Sequence, residues 1–166
     1  MQVNIALLTV TDTRTIDTDK SGAILVKKIK EQNHKLIDRK IVKDKKNEIK
    51  KILKNWTKRD DLDVIITTGG TGLTGRDITP EALNEIKDKE IPGFGELFRE
   101  LSYKTVGTSA MQSRACAVLA NGKYIFALPG SSGGVTDAWE GILKYQLDIN
   151  HKPCNFVELL PRLKEK

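Results

Sequence analysis

The run from Asp63 to Leu83 limits most strongly how this chain can fold. DVIIT (Asp63–Thr67) has the unbroken apolar character of a buried strand, and it leads almost directly into Gly69-Gly70-Thr71-Gly72. A loop carrying Arg76 and Asp77 follows. Thr79-Pro80-Glu81 then reads as a helix start, with Thr79 as N-cap and Pro80 at the first helical position, where a missing N–H leaves nothing unpaired. Glycines at the end of a strand let the backbone approach a ligand and turn bare N–H groups towards an anion, so the loop reads as a phosphate-handling site with one carboxylate, Asp77, beside it. Gly70-x-Gly72-x-x-Gly75 also has the spacing of a dinucleotide fingerprint, but that fingerprint needs a helix opening at the loop, and here the helix waits until Pro80. A simple tight turn is the competing reading of GGTG; the Arg76-Asp77 pair before a capped helix weighs against it.

The same alternation of strand and helix extends along the chain. VNIALLTV (Val3–Val10) is a second strand apolar on both faces, and Leu36–Val42, interrupted by Asp38-Arg39-Lys40, suits a sheet edge. Between them Ile24, Leu25 and Ile29 mark a helix opening at Ser21-Gly22, and Ile49, Ile52, Leu53 and Trp56 stripe the next one. Phe94, Leu97, Phe98 and Leu101 form a further stripe, read as core, with a subunit interface as the rival. Arg114–Ala120 and Lys123–Leu128 flank Asn121-Gly122, the strongest short hairpin signal. The second of these strands ends in Pro129–Gly134, and Ala138, Trp139, Ile142, Leu143 and Leu147 mark the last helix. Alternating elements of this kind predict one α/β domain over residues 1–166, with a mainly parallel sheet, helices on both faces and one antiparallel pair.

That topology has a chemical consequence. The carboxyl ends of parallel strands share one rim, where ligands bind. Thr11-Asp12-Thr13, Lys43-Asp44, Gly69–Gly72 and Pro129–Gly134 all fall at such ends. Asp44 and Asp77 therefore share a rim with two anion-compatible loops, and two carboxylates beside phosphates imply Mg²⁺ between them. Gly130 is expected to tolerate no side chain, because the backbone itself should face the ligand there.

Composition narrows the classes. With 166 residues, 39% hydrophobic and 30% charged, a real core is attainable in one domain. No run of about 18 apolar residues and no basic-then-apolar leader occurs, so no membrane association and a cytoplasmic location are expected. Aromatic residues make up 5% and none interleave with a basic run, which argues against nucleic acid. The formal charge of +6 resides largely on helical lysines such as Lys27, Lys28, Lys50 and Lys54, the solvated faces of amphipathic helices, and leaves only a mild preference for small anions. Cys116 and Cys154 lack ligand spacing, Cys116 reading as a small core residue. His34 and His151 read as solvated, and no structural metal is expected.

TTGGTGLTGRDITPEAL (Thr67–Leu83), GFGELFRELS (Gly93–Ser102), GTSAMQSRA (Gly107–Ala115) and FALPGSSGGVTDAWEGI (Phe126–Ile142), with LTVTDTR near the start, together resemble the MoaB/MogA family of molybdenum cofactor biosynthesis proteins. GTS…QSRA and PCNF (Pro153–Phe156) are closer to its MoaB branch. The resemblance implies a three-layer α/β/α sandwich with a mainly parallel mixed sheet, a homo-oligomer (hexamer or trimer) and binding of molybdopterin. Active members transfer AMP from Mg-ATP to molybdopterin's phosphate before metal insertion. Carried over by position, the catalytic, Mg²⁺-holding aspartates are Asp77 and Asp44, the latter in V-K-D where the family has V-P-D. Substrate binding falls to Thr11, Asp12, Gly69, Gly70, Thr71, Gly72, Arg76, Ser113, Arg114, Pro129, Gly130 and Ser131. The alternative is a non-catalytic molybdopterin-binding or assembly subunit, and other proteins of the pathway are possible contacts.

Overall fold

The computed structural model describes residues 1–165. Its strands are β1 (Asn4–Val10), β2 (Lys35–Val42), β3 (Val64–Thr68), β4 (Lys89–Glu90), β5 (Cys116–Ala120) and β6 (Lys123–Leu128). They form a six-stranded sheet in the order β2-β1-β3-β6-β5-β4. β2, β1, β3 and β6 are parallel, whereas β5 runs antiparallel to β6 and to β4. The expected three-layer sandwich with a mixed, mainly parallel sheet is what forms.

The two-faced apolar strands are explained by their place in the middle of this order. Ile5 and Leu7 of β1 pack with Val64, Ile66 and Phe126 under α1 (Lys20–Glu31), α4 (Pro92–Val106) and α5 (Ser132–Ala138). Ala6 and Leu8 alternate to the other face, with Ile65 and Ile125 under α2 (Lys46–Thr57) and α3 (Thr79–Asn84). Full burial of each such Leu or Ile contributes roughly 1.5–3 kcal/mol. β2 has one neighbour and carries the polar residues that its interrupted pattern predicts at an edge. Asp38 there accepts from Trp56 Nε1 at 3.0 Å, so the edge charge also anchors α2. Asn121 (φ 48°) and Gly122 (φ 71°) both take left-handed conformations, as the two-residue turn between β5 and β6 requires. α5 runs on through a π-helical turn, Trp139–Leu143, into α6 (Lys144–Gln146), and α7 (Phe156–Leu159) closes over Tyr124.

Three expectations need correction. Thr79 does not cap α3. Its hydroxyl donates to the Gly69 carbonyl at 2.9 Å, and the cap position falls on Ile78 without a side-chain bond. The Phe94–Leu101 stripe divides. Phe94 and Phe98 are buried against Phe126 and Trp139, while Leu97 is 44% exposed, so the phenylalanines are core rather than interface. Side chains more exposed than Leu97 lie further along, at Tyr103, Val106 and Met111.

His34 is the third correction, because it is 7% exposed rather than solvated. Its Nδ1 accepts the Val3 N–H at 3.2 Å, which ties the start of β1 to the turn after α1. Burial pushes the imidazole below its ordinary 6.5, the terminal amino group adds to this, and Asp148 opposes it. The folded state thus binds the proton less readily than the unfolded state. Stability from this site is present above the ordinary value and lost as pH falls through the depressed folded one. Melting temperature followed from about pH 8 to about pH 5 should decline less steeply in His34→Gln than in the parent. Parallel slopes would remove His34 from the account.

Candidate functional site

The glycine turn is built at the centre of the carboxyl rim, because β3 lies between β1 and β6. Gly69 has φ +103°, and a Cβ there would lie 2.2 Å from the Val10 carbonyl oxygen. Its N–H donates to the Leu128 carbonyl at 3.0 Å. Only glycine fits between these two strand ends. Gly70 has φ +68°, with Thr79 Oγ1 2.4 Å from where its Cβ would stand. The Thr79 hydroxyl takes the Gly69 carbonyl and the Thr79 N–H takes the Gly70 carbonyl at 3.0 Å. In a trans peptide the N–H points opposite to the C=O. The Gly70 and Thr71 N–H groups therefore face away from α3, and no acceptor among the described residues takes them. Thr71's side chain is buried, so what this residue offers a ligand is backbone.

Arg114 fastens the far end of the loop. Its N–H donates to the Thr71 carbonyl at 2.8 Å, its Nε to the Gly72 carbonyl at 2.7 Å and its Nη2 to the Asp77 carbonyl at 2.7 Å. Nη1 pairs with Glu81 on α3. Asp77 turns back into the same loop, its Oδ2 accepting from the Thr74 N–H at 3.0 Å and the Thr74 hydroxyl at 2.7 Å. Burial works to raise its carboxyl, but those donors and the Gly72 amide outweigh it and leave the group below 3.8.

Asp12 ties the loop to its neighbours. Its carboxylate takes Arg76 in a forked pair at 2.7 to 3.0 Å and accepts the Asp44 N–H at 3.1 Å. Arg76's hydrogen bonds hold the Asp12 carboxyl below its usual range. The Asp44 carboxyl is pushed up, by burial first and then by the negative charges of Asp12 and Asp77, with Arg76 opposing. Asp44 Oδ1 also stands 3.3 Å from where a Cβ on Gly70 would be, which puts this carboxylate beside the glycine turn.

On the other side of the turn, Thr68 Oγ1 donates to the Pro129 carbonyl at 2.7 Å, and a Cβ on Gly130 would meet Gly69 Cα at 3.3 Å. Ser131 caps α5, its hydroxyl accepting from the Gly134 N–H at 3.1 Å. Thr11 directly follows β1, and Ser113 stands three residues before β5. The Ser113 carbonyl accepts from Arg99 at 3.4 Å, and the Thr11 hydroxyl accepts from the Thr13 and Arg14 N–H groups at 3.3 Å. The twelve residues expected to bind substrate and the two expected aspartates thus lie along one rim. Asp12, Arg76 and Arg114 are engaged with the protein itself.

A family model described as "Probable molybdopterin binding domain" matches residues 6–149, most of the chain and all of this rim. The chain belongs to this family. Among molybdopterin-binding-domain relatives, it is 46% identical over 152 residues to Molybdenum cofactor biosynthesis protein B of Escherichia coli (strain K12), spanning 92% of this chain and 89% of that one. It is 49% identical over 149 residues to the protein of the same name from Staphylococcus aureus (strain MRSA252), at 88% coverage of both. A crystal structure of a Molybdenum cofactor biosynthesis protein B superposes with a TM-score of 0.89 at 40% identity, over 100% of this chain and 98% of that one.

Beside the family pattern, four residues carry the rim in roles that the sequence did not suggest for them. Asp19 is buried beneath it and caps α1, accepting from the Gly22 N–H at 2.9 Å, Thr9 Oγ1 at 2.6 Å and Arg39 at 3.1 Å. An aspartate just ahead of the Ser21-Gly22 helix start is a cap signal that was there to be found. Thr68, Thr79 and Arg114 act through side-chain bonds to distant carbonyls and leave no local pattern.

Proposed function

We propose that this chain is a single-domain cytoplasmic enzyme of molybdenum cofactor biosynthesis that binds molybdopterin and adenylylates it with Mg-ATP before metal insertion. The observation that carries the reading is the meeting of Asp44, Asp77 and the outward Gly70 and Thr71 amides on one rim. Phosphate oxygens bound by those amides place the pterin's phosphate against the α-phosphorus of ATP. A pterin phosphate oxygen forms the new P–O bond, the bond to the β-phosphate oxygen breaks, and pyrophosphate leaves. Most of the acceleration in such chemistry comes from alignment and fixed charge.

Mg²⁺ fits this donor set. Burial and two neighbouring carboxylates already destabilise the Asp44 anion, which is a place where a divalent cation is favoured. Among the described residues no three His, Cys, Asp or Glu side chains converge closely enough to enclose a metal, and Mg²⁺ characteristically takes one or two carboxylates together with substrate phosphates. Asp44 and Asp77 would hold it, and the ion would offset charge on the phosphates as pyrophosphate departs.

The second reading is a non-catalytic molybdopterin-binding or assembly subunit. The engagement of Arg76 with Asp12, and of Asp77 with Thr74, favours it, since both groups already have partners. The Arg76–Asp12 pair is exposed and screened by solvent, so a charged ligand can open it readily. Incubating the protein with molybdopterin and Mg-ATP decides between the two: adenylylated product is expected, and tight binding without product would leave the subunit reading. As a homo-oligomer, hexamer or trimer, the chain would cover Tyr103, Val106 and Met111. Among the described residues no helix is long and apolar enough to cross a membrane.

A further inference from the structure

The net charge of this chain is concentrated in one place. Residues 43–59 hold eight lysines and arginines against two carboxylates, a surplus of six that equals the formal net charge of the whole sequence. The remaining residues therefore balance. Within the segment the fold neutralises part of the surplus. Lys46 and Lys50 both pair with Glu85, Lys45 pairs with Glu48, and Arg59 pairs with Asp38 and Asp61. Lys43, Lys51, Lys54 and Lys58 are exposed and have no carboxylate partner among the described residues.

Three of these form a row. Lys51, Lys54 and Lys58 are three and four positions apart and so share one face of α2, while Ile49, Leu53 and Trp56 fill the core from the opposite face. Like charges at this spacing repel one another, and the row attracts a counter-charge. A small anion on the rim cannot supply it. α2 opens two residues after Asp44, and at about 1.5 Å per residue Lys54 and Lys58 stand roughly 12 and 18 Å further along its axis. Screening at physiological salt removes most of the attraction beyond about 8 Å. The occupant must be large enough to lie along the helix.

The surface chemistry narrows the class of that occupant. Every exposed position of α2 is Lys, Asn or Glu, which offers no apolar side chain to a bilayer and no aromatic face to a base. The one arginine of the segment is forked onto Asp61, so no guanidinium is left to take phosphate oxygens in pairs. Ammonium groups at helical intervals suit carboxylates presented at matching intervals by another protein.

We propose that this face of α2 docks an acidic protein, whose glutamates or aspartates meet Lys51, Lys54 and Lys58. The contact is made by charge alone, so it forms and dissolves quickly and weakens with salt. A protein seated there has the rim at its edge, because the helix starts beside Asp44. The proposal goes beyond the functional reading and stands without it.

Fluorescence anisotropy with a labelled helical peptide, carrying glutamates three and four residues apart on one face, tests it. Wild-type protein should bind the peptide at low salt and lose most of that binding at physiological salt. The triple variant Lys51→Gln, Lys54→Gln, Lys58→Gln removes three exposed pairs and should weaken binding on the order of tenfold. A matched control, Lys27→Gln with Lys30→Gln and Lys104→Gln, takes the same charge from α1 and α4 and should bind nearly as the parent does. Absence of binding by the wild type would overturn the proposal. An equal loss in both triple variants would do the same, by making net charge the only cause. So would tighter binding of a single-stranded oligonucleotide, or of phosphatidylserine vesicles, through the same three lysines.

Discussion

Asp77→Asn should reduce adenylyl transfer by about a hundred- to thousandfold while leaving molybdopterin affinity nearly unchanged. The size of the effect is that of removing one electrostatic contact to charge that develops in the transition state. Affinity should survive because the Gly70 and Thr71 amides do not depend on this carboxylate; Thr79 and Arg114 aim them from the other side of the loop. The substitution also touches the loop itself. Asparagine can still accept the Thr74 N–H, but loses the strength of an anionic acceptor for two donors, so a stability loss of about 1 kcal/mol is expected. The two roles separate experimentally. A lowered melting temperature beside undiminished transfer would make Asp77 a turn-supporting residue and nothing more.

The largest effect on stability is expected at Gly69→Ala. A side chain there must accept a left-handed φ of +103° and also displace the Val10 carbonyl from 2.2 Å. Backbone strain of about 1–3 kcal/mol adds to an overpacking cost of similar size, so a loss of roughly 2–6 kcal/mol follows. For a domain of this length that corresponds to a fall in melting temperature on the order of 10 °C. Gly75→Ala is the matched control, because nothing lies within 4 Å of a Cβ at that position. Equal melting temperatures for the two variants would show that the contact with β1 gives way cheaply.

Gly69 also shows what was readable beforehand. That a glycine turn ends β3 follows from the sequence, and so does its place on a rim with Asp12, Asp44 and Gly130, because the strand runs and their connections fix a parallel sheet. The reason for the glycine does not follow. It depends on how closely β1 passes, which is a matter of three dimensions. Val3–Val10 and Lys123–Leu128 were legible because burial on both faces writes itself into every residue of a strand. β4 was not, being two exposed charged residues whose pairing is set by β5. Arg114 was expected to touch substrate and instead holds the loop. Its acceptors at Gly72 and Asp77 lie 42 and 37 positions away, and no local pattern encodes bonds of that span. His34 misled for the opposite reason: its neighbours Asn33 and Lys35 are exposed, and polar surroundings in sequence were not polar surroundings in space.

The two ends of the sheet limit how copies of this chain can meet. At one margin β2 presents Lys35 and Lys40 to solvent beside Asp38 and Arg39; at the other, β4 offers two residues of ladder before Pro92 ends it. Strand addition needs a long, level row of free amides and carbonyls without charges to desolvate, and neither margin supplies one. The fold therefore guards itself against fibrillar growth from its own hydrogen-bonding edges. Association between copies is thereby left to side-chain surfaces rather than to strand pairing, and such surfaces can close on themselves.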